Sequence, residues 1–151
     1  MKIRFHKENI MDIQAEIEPL FVMHRDEGTA FDLTKYPPDT DWKMYKKLCD
    51  LGLYRLYTAR TPKGTLVGYV GFTINTFMRG ASYTIAMNDM TFLHKIARGK
   101  GVGYKMIAFA VEDVEQEVDC VSLSMKMGTP HELMIKRLGF RSGDMVYYKE
   151  M

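Results

Sequence analysis

The chain has 151 residues, of which 46% are hydrophobic and 26% charged, and its formal net charge is +2. This composition is that of an ordinary soluble protein with a substantial core, so we expect one domain, residues 1–151. No apolar stretch approaches the roughly 20 residues of a membrane span, and the N-terminus lacks the apolar run of a signal peptide. We therefore expect a cytoplasmic protein that does not act at a membrane.

The chain contains two cysteines, Cys49 and Cys120. They are too few, and too far apart, to suggest a disulfide framework or a metal site. We expect reduced thiols and no bound metal. Because Cys120 opens an apolar segment, we expect it in the core.

Charge is divided unevenly along the chain. Residues 8–41 hold nine acids and two bases, a net of −7, whereas residues 43–105 hold eleven bases and two acids, a net of +9. The asymmetry indicates a basic region that meets a polyanion and an acidic region that meets a cation. The alternative is that both regions are solvated faces without a ligand.

The N-terminal third predicts one strand and two helices. Alternating apolar residues predict a strand over residues 1–6. Apolar residues near helical spacing predict a helix over residues 8–25, which Pro19 kinks or divides. Residues 26–41 show little periodicity and predict a loop, after which a second helix is expected over residues 41–51.

The next part of the sequence has the pattern of a β-meander. Strands are expected at residues 53–58, 65–77 and 83–94. Residues 61–64, Thr-Pro-Lys-Gly, predict a hairpin turn between the first two strands. Within the second strand, Gly68 and Gly71 indicate a bulge or a close backbone approach.

The C-terminal third alternates between helix and strand. Helices are expected at residues 102–118 and 129–139, with strands at 119–127 and, as a terminal strand or hairpin, at 140–149. Thr129 and Glu132 have the spacing of a capping box, in which the Thr129 side chain caps the Glu132 amide. Pro130 suits the first turn of that helix.

A glycine-rich stretch joins the meander to the following helix. Gly99, Gly101 and Gly103 lack Cβ atoms, so backbone amides can turn toward one anion, and the helix adds its positive N-terminal end. The P-loop pattern is excluded because no Gly-Lys-Ser/Thr closes it, and Gly-x-Gly-x-x-Gly fails on spacing. The pattern that fits is Arg98-x-x-Gly101-x-Gly103. The alternative is a plain glycine-rich turn without a ligand.

With this spacing, the chain resembles the GNAT superfamily of acyl-CoA-dependent N-acetyltransferases. The predicted element order, β-α-α-β-β-β-α-β-α-β, matches that fold over essentially the whole chain, and residues 138–140, Leu-Gly-Phe, resemble the family's closing unit. The resemblance implies an α/β (α+β) fold: a single mixed, mostly antiparallel twisted sheet of about six to seven strands, flanked by about four helices. It leaves the oligomeric state open, and a homodimer is one of the states that it allows.

In the GNAT family the glycine-rich turn holds the pyrophosphate of coenzyme A, so the resemblance implies acetyl-CoA as co-substrate. The residues implied in binding it are Leu93, His94, Lys95, Arg98, Gly99, Lys100, Gly101, Val102, Gly103, Tyr104 and Thr129. Backbone amides of residues 98–104 would hold the pyrophosphate, and Leu93 would lie beside the pantetheine. Because coenzyme phosphates explain the basic region, we expect no direct nucleic-acid binding.

Acetyl transfer to an amine needs a base for the amine and an acid for the departing thiolate. The family often places the base on the strand before the glycine-rich turn, where Asp89 shares the alternation parity of Leu93; a bulge there would reverse that parity. His94 is a rival, because imidazole titrates near neutrality. The family's usual acid, a tyrosine four residues before the glycine of Leu-Gly-Phe, is replaced here by Ile135. Candidate substitutes are Tyr147, Tyr104, Tyr148 and Ser124.

The acceptor is expected at the acidic region, because the family places its variable acceptor-binding elements at the corresponding loop and second helix. The residues expected there are the acids Asp26, Glu27, Asp32, Asp39 and Asp41, with Tyr36, Trp42 and Tyr45 as pocket walls. They would hold a cationic amine, such as a polyamine, an aminoglycoside-like compound or a protein lysine. We interpret the sequence as an N-acetyltransferase that joins acetyl-CoA and a primary amine, one on a protein partner included, in one ternary complex. The alternative, favoured by the missing tyrosine, is a CoA-binding regulatory or protein-interaction module with weak or no activity.

Overall fold

The computed structural model describes residues 1–28, 32–35, 39–80, 82–126 and 128–151. Its centre is one sheet of five strands that lie side by side in sequence order. The strands are β1 (Arg4–Glu8), β2 (Tyr54–Arg60), β3 (Leu66–Thr76), β4 (Thr84–Leu93) and β5 (Cys120–Ser122). Strands β1 to β4 pair antiparallel, and β5 pairs parallel to β4. The expected mixed, mostly antiparallel sheet is confirmed, with five strands in the described residues rather than six to seven.

Four α-helices in the described ranges accompany the sheet, as expected. They are α1 (Gln14–Gly28), α2 (Trp42–Asp50), α3 (Val102–Val114) and α4 (His131–Arg137). The first begins later than predicted because Glu8 belongs to β1 and a short 3₁₀ helix, Ile10–Ile13, precedes it. Helix α1 continues through Pro19, so this proline does not divide it. None of the helices in the described ranges is both long and apolar enough to cross a membrane.

Both faces of the sheet are covered by apolar side chains. Because successive strand residues point to opposite faces, Tyr57 joins the cluster beneath α3, whereas its neighbour Leu56 joins the cluster beneath α1 and α2. On β3, Val70 likewise joins the cluster beneath α3, whereas Tyr69 joins the cluster beneath α1 and α2. The apolar core therefore occupies both sides of the sheet.

The glycines of β3 have the two roles that the sequence indicated. At Gly68, a Cβ would lie 2.9 Å from the Phe92 carbonyl oxygen, so two strands approach closely there. At Gly71, the pairing with β4 shifts: Gly71 faces Met90 and the next residue faces Asn88, which leaves Asp89 without a partner on β3. Asp89 is thus the extra residue of a β-bulge. The predicted hairpin at residues 61–64 is also confirmed, with the Thr61 amide bonded to the Thr65 carbonyl at 2.9 Å.

Several predicted elements are shorter than expected. Helix α3 ends at Val114 rather than 118, because the chain must turn for the Asp119 amide to reach the Thr84 carbonyl at 3.1 Å. Strand β5 then pairs with β4 over three residues, not nine. At this sheet edge Cys120 is exposed, so its expected place in the core is wrong.

The predicted terminal strand over residues 140–149 is also wrong, because no residue of that described segment lies in a strand, and Met145, Val146, Tyr147 and Tyr148 are mostly exposed. The capping box is absent as well. Thr129 Oγ1 donates to the Lys126 carbonyl at 2.9 Å, and Glu132 pairs with Lys136 at 3.0 Å, within α4. Both side chains therefore find partners other than the helix start.

Candidate functional site

Strand β4 extends beyond the segment that pairs with β5. Their parallel pairing stops at Met87 and Ser122, whereas β4 continues to Leu93. Residues 88–93 therefore have β3 on one side and, within the described ranges, no strand on the other. Backbone groups along that open side can bond a ligand, as on any unpaired strand edge, except those already bonded by a side chain: the Leu93 carbonyl accepts from Arg98 Nε at 2.7 Å and the Met90 carbonyl from Asn88 Nδ2 at 3.0 Å.

A short connection leads from β4 to the glycine-rich turn. The His94 amide donates to the Val67 carbonyl at 2.7 Å, and His94 Nδ1 accepts from the Ile96 amide at 3.2 Å. That second bond caps a 3₁₀ helix, Lys95–Ala97, whose last residue is buried. His94 thus lies at the end of β4, but one of its two ring nitrogens is already used to shape this connection.

The turn itself is built from three consecutive residues with left-handed backbone. Gly99, Lys100 and Gly101 have φ angles of 96°, 50° and 72°. Helix α3 begins directly after it, and its N-cap Gly101 supplies no side-chain hydrogen bond. The amides of Gly103 and Tyr104, in the first turn of α3, lack a carbonyl partner one turn earlier within the helix. No atom lies within 4 Å of where a Cβ would stand on Gly99 or Gly101, so the turn is open to an anion.

An open cleft of about 500 Å³ lies beside this turn, between α3 and α4. Its lining residues are Gly101, Tyr104, Lys105, Pro130, Leu133, Met134 and Arg137. The lining therefore combines apolar side chains with two cations, Lys105 and Arg137. Such a cleft suits a ligand that carries both a flat ring and a phosphate.

A second group of polar side chains surrounds the bulge residue. Asp89 is exposed, and its Oδ2 accepts hydrogen bonds from the Tyr45 hydroxyl at 2.8 Å and the Tyr54 hydroxyl at 2.7 Å. Burial, reinforced by the charge of Asp89, raises the pKa of both tyrosines, so both keep the proton that they donate. Tyr54 reaches Asp89 by crossing β3 at Gly71, where a Cβ would stand 2.2 Å from its hydroxyl.

His24, on α1, is a site residue that the sequence did not single out. Its Nδ1 lies 2.9 Å from the hydroxyl of Tyr69, which is fully buried, and its ring stacks on Phe92 with centroids 5.2 Å apart. Burial lowers the pKa of His24 below its ordinary value. The imidazole is therefore neutral at pH 7. Its helical spacing from Ile17 and Leu20, which face the sheet, was the one available signal.

We expect His24 to titrate below its ordinary pKa of 6.5. Because the folded-state pKa is depressed, the unfolded chain binds more protons near pH 6, so folding stability is lost as the pH falls from about 6.5 through the folded-state pKa. Imidazole NMR signals, assigned with a His24→Asn variant, would give the titration midpoint. A midpoint at or above 6.5 would contradict the structure, and so would an unchanged dependence of unfolding free energy on pH in that variant.

The predicted coenzyme residues follow one another along the end of β4, the turn and the start of α3. Arg98 does not point into the open turn: its Nε donates to the Leu93 carbonyl at 2.7 Å, and its Nη2 pairs with the Glu27 carboxylate. Thr129 lies beside Pro130, a residue of the cleft. Tyr147 is 84% exposed, and its hydroxyl lies 3.2 Å from the Met145 sulfur.

The predicted acceptor residues are distributed more widely. Trp42 lies in the aromatic group around Tyr45, with ring centroids 5.7 Å apart. Asp26 is exposed and lies 3.6 Å from the Arg25 guanidinium. Asp32 shapes a local turn, where its Oδ1 accepts from the Thr34 amide at 2.9 Å. Tyr36 lies outside the described residues.

Three solved structures show the same fold at low identity. A glucosamine-6-phosphate N-acetyltransferase from Arabidopsis thaliana superposes with a TM-score of 0.72 at 13% identity, over 99% of both chains. A ribosomal-protein-alanine N-acetyltransferase from Brucella melitensis gives 0.68 at 17% identity, over 100% of this chain and 99% of that one. A predicted acetyltransferase from Clostridium acetobutylicum, solved with acetyl-CoA, gives 0.68 at 15%, over 99% and 96%.

No curated protein sequence matches the chain. Among the residues with described positions, no group of three or more His, Cys, Asp or Glu side chains is arranged to hold a metal ion. The sequence profile of the acetyltransferase (GNAT) family, however, matches residues 13–140, which include the bulged strand, the glycine-rich turn and α4. The chain belongs to the GNAT family of acetyltransferases.

Proposed function

We propose that this protein transfers the acetyl group of acetyl-CoA to a primary amine by direct attack, with both substrates bound at once. The observation that carries the proposal is the open left-handed turn at residues 99–101, set between the unpaired edge of β4 and the N-terminus of α3. This arrangement provides backbone donors for a pyrophosphate and an extended edge for an amide-containing chain.

Each part of acetyl-CoA has a matching surface. The amides of Gly103 and Tyr104 would bind the pyrophosphate at the positive end of α3. Lys105 and Arg137 would neutralise phosphate charge at the cleft, whose apolar wall suits the adenine ring. The pantetheine amides would bond the open backbone of residues 88–93, as a strand bonds a sheet edge. The thioester would then lie near the bulge.

Asp89 is our candidate for the group that receives the proton of the amine. As the bulge residue of β4 it is exposed, and two tyrosine hydroxyls fix the position of its carboxylate. In the reaction, an N–H bond of the ammonium breaks as its proton passes to the carboxylate. The amine nitrogen then bonds to the thioester carbon; the nitrogen releases its second proton to solvent, the C–S bond breaks, and the thiolate leaves. Ile135 offers no proton to that thiolate, which a solvent proton can neutralise.

The acceptor is proposed only as a class. The similar structures act, by their names, on an amino-sugar phosphate and on a ribosomal-protein alanine, so one fold serves unlike amines. Here a carboxylate and aromatic rings border the acceptor side, with Phe21 and Trp42 stacked at 6.0 Å near Tyr45. Carboxylate and aromatic faces both attract an ammonium group. A cationic primary amine is therefore the acceptor that we propose.

Calorimetric titration with acetyl-CoA and with coenzyme A tests the donor, and thiol release over a panel of amines and lysine- or alanine-ended peptides tests the transfer. We expect both acetyl-CoA and coenzyme A to bind, and we expect thiol release to depend on an added amine. A reaction without amine measures background hydrolysis. Absence of binding would refute the donor assignment, whereas binding without release on any amine would support a regulatory CoA-binding module instead.

A further inference from the structure

Two of the five N–H donors of Arg98 bond the protein rather than the open turn. Its Nε donates to the Leu93 carbonyl at 2.7 Å, its Nη2 pairs with Glu27, and its guanidinium lies 5.8 Å from the Phe92 ring centroid. These three contacts involve two different elements, the end of β4 and the last turn of α1. Arg98 therefore joins α1 to the chain just before Gly99.

Glu27 completes this connection from the other side. It is the second-last residue of α1 and lies one helical turn after His24. Its hydrogen bond with Arg98 lowers its pKa, so the carboxylate stays charged at neutral pH. Because Phe92 contacts both the His24 ring and the Arg98 guanidinium, α1 is tied to the end of β4 by an ion pair and by a shared aromatic ring.

We propose that Arg98 and Glu27 act as positioning residues that couple the coenzyme turn to the acceptor side of the site. The proposal rests on the proposed function, because it takes the open turn as the pyrophosphate site. Gly99 follows Arg98 directly, so ligand-induced ordering of the turn restricts Arg98 and, through Glu27, the end of α1. By thermodynamic linkage, an acceptor that orders the end of α1 must then strengthen coenzyme binding to the same degree.

The competing interpretation, that Arg98 is a phosphate ligand, makes opposite predictions for Glu27. A phosphate-binding Arg98 would be released by removal of its carboxylate partner, so Glu27→Gln would leave coenzyme binding unchanged or tighter. A positioning pair instead loses its effect whichever member is removed. Since both side chains are partly exposed, at 44% and 32%, an effect of about 2- to 5-fold is expected.

A double-mutant cycle separates these possibilities. The dissociation constant of coenzyme A would be measured for wild type, Arg98→Gln, Glu27→Gln and the double variant, at low and high salt. We expect the two single variants to weaken binding equally, about 2- to 5-fold, and the double variant to weaken it no further. A loss about 10-fold or larger in Arg98→Gln, strongly salt-dependent, with no loss in Glu27→Gln, would overturn the proposal.

Hydrogen exchange gives a second readout that a merely structural pair would not change. Coenzyme A should slow amide exchange at residues 20–28 in wild type, and this slowing should vanish in Glu27→Gln at saturating coenzyme. The exchanged pair, Glu27→Arg with Arg98→Glu, should restore it. Asp50→Asn, which removes an exposed ion pair with Lys46 on α2, serves as the control and should respond like wild type.

The outcomes distinguish this proposal from the proposed function. If wild type binds coenzyme A but exchange at residues 20–28 is unaffected, the coupling is refuted and the donor site stands. If wild type does not bind coenzyme A at all, the donor assignment fails and this proposal fails with it.

Discussion

Replacement of Gly101 by valine is expected to abolish detectable acetyl-CoA binding, a loss of at least about 100-fold. Gly101 has a φ of 72°, where a β-branched residue is strained by about 1–3 kcal/mol. The free turn relieves this strain by leaving the left-handed conformation, and binding must restore it, which corresponds to about 5- to 150-fold in affinity. The valine would also stand in space that is empty now, directly over the N-terminus of α3. The same substitution therefore distorts the turn and blocks the approach of a pyrophosphate.

Gly52 offers a closely matched control. Its φ is 69°, and it too has no atom within 4 Å of where a Cβ would stand, but it follows the end of α2. Gly52→Val should cost a similar free energy of unfolding and leave coenzyme binding intact. Calorimetric titration and thermal unfolding of both variants give the comparison. Equal binding by Gly101→Val and wild type would show that the turn is not the pyrophosphate site.

The conformation of the glycine-rich turn was predictable because its determinants are local. The left-handed backbone of residues 99–101 has glycine at two of its three positions, so this conformation can be predicted from the spacing of the glycines in the sequence. The following helix is equally visible, because Met106, Ala110 and Val114 repeat at helical spacing and are buried. Sequence pattern and structure agree here since one short segment contains both the cause and the result.

The surroundings of Asp89 were not predictable in the same way. Alternation along β4 predicted Asp89 on the face of Leu93, but the bulge reverses the parity: Leu93 packs beneath α3, whereas Asp89 bonds tyrosines of the cluster beneath α1 and α2. The bulge depends on how β4 pairs with β3, and a single strand does not encode its register. The partners of Asp89 come from α2 and β2, 44 and 35 residues earlier. Gly71 carried a usable signal, since an isolated glycine in a strand marks close approach, yet nothing local named Tyr54 as the side chain that crosses it.

The C-terminal errors have a related physical cause. Residues 140–149 carry strand-favouring side chains on both sides of a Ser-Gly-Asp turn, but a strand exists only when a neighbour accepts its backbone bonds. Strand β5 is three residues long and offers little edge for pairing. The capping-box spacing at Thr129 likewise shows only that a cap could form. In the structure, the Thr129 hydroxyl donates to the Lys126 carbonyl instead. Local sequence patterns therefore predict too many strands and caps where the element forms only if a residue distant in the sequence supplies its hydrogen-bond partner.

Replacement of Asp89 by asparagine is expected to lower turnover by about 10²- to 10⁴-fold, the usual contribution of a general base, with little change in coenzyme affinity. Asparagine keeps the size of the side chain and still accepts hydrogen bonds from Tyr45 and Tyr54, so the bulge should persist. The measurement is thiol release with the best amine of the panel, together with calorimetric titration of coenzyme A. Asp50→Asn, which removes an exposed acid of α2, should retain wild-type turnover.

The two tyrosines separate proton transfer from positioning. Tyr54→Phe and Tyr45→Phe each remove one donor to Oδ2, so they should lower turnover less than Asp89→Asn does, and least for the partly exposed Tyr45. Gly71→Ala should resemble Tyr54→Phe, because its Cβ would occupy the path of the Tyr54 side chain. If Asp89→Asn keeps full turnover while these variants lose it, the hydroxyls act without the carboxylate, and the amine proton must leave by another route.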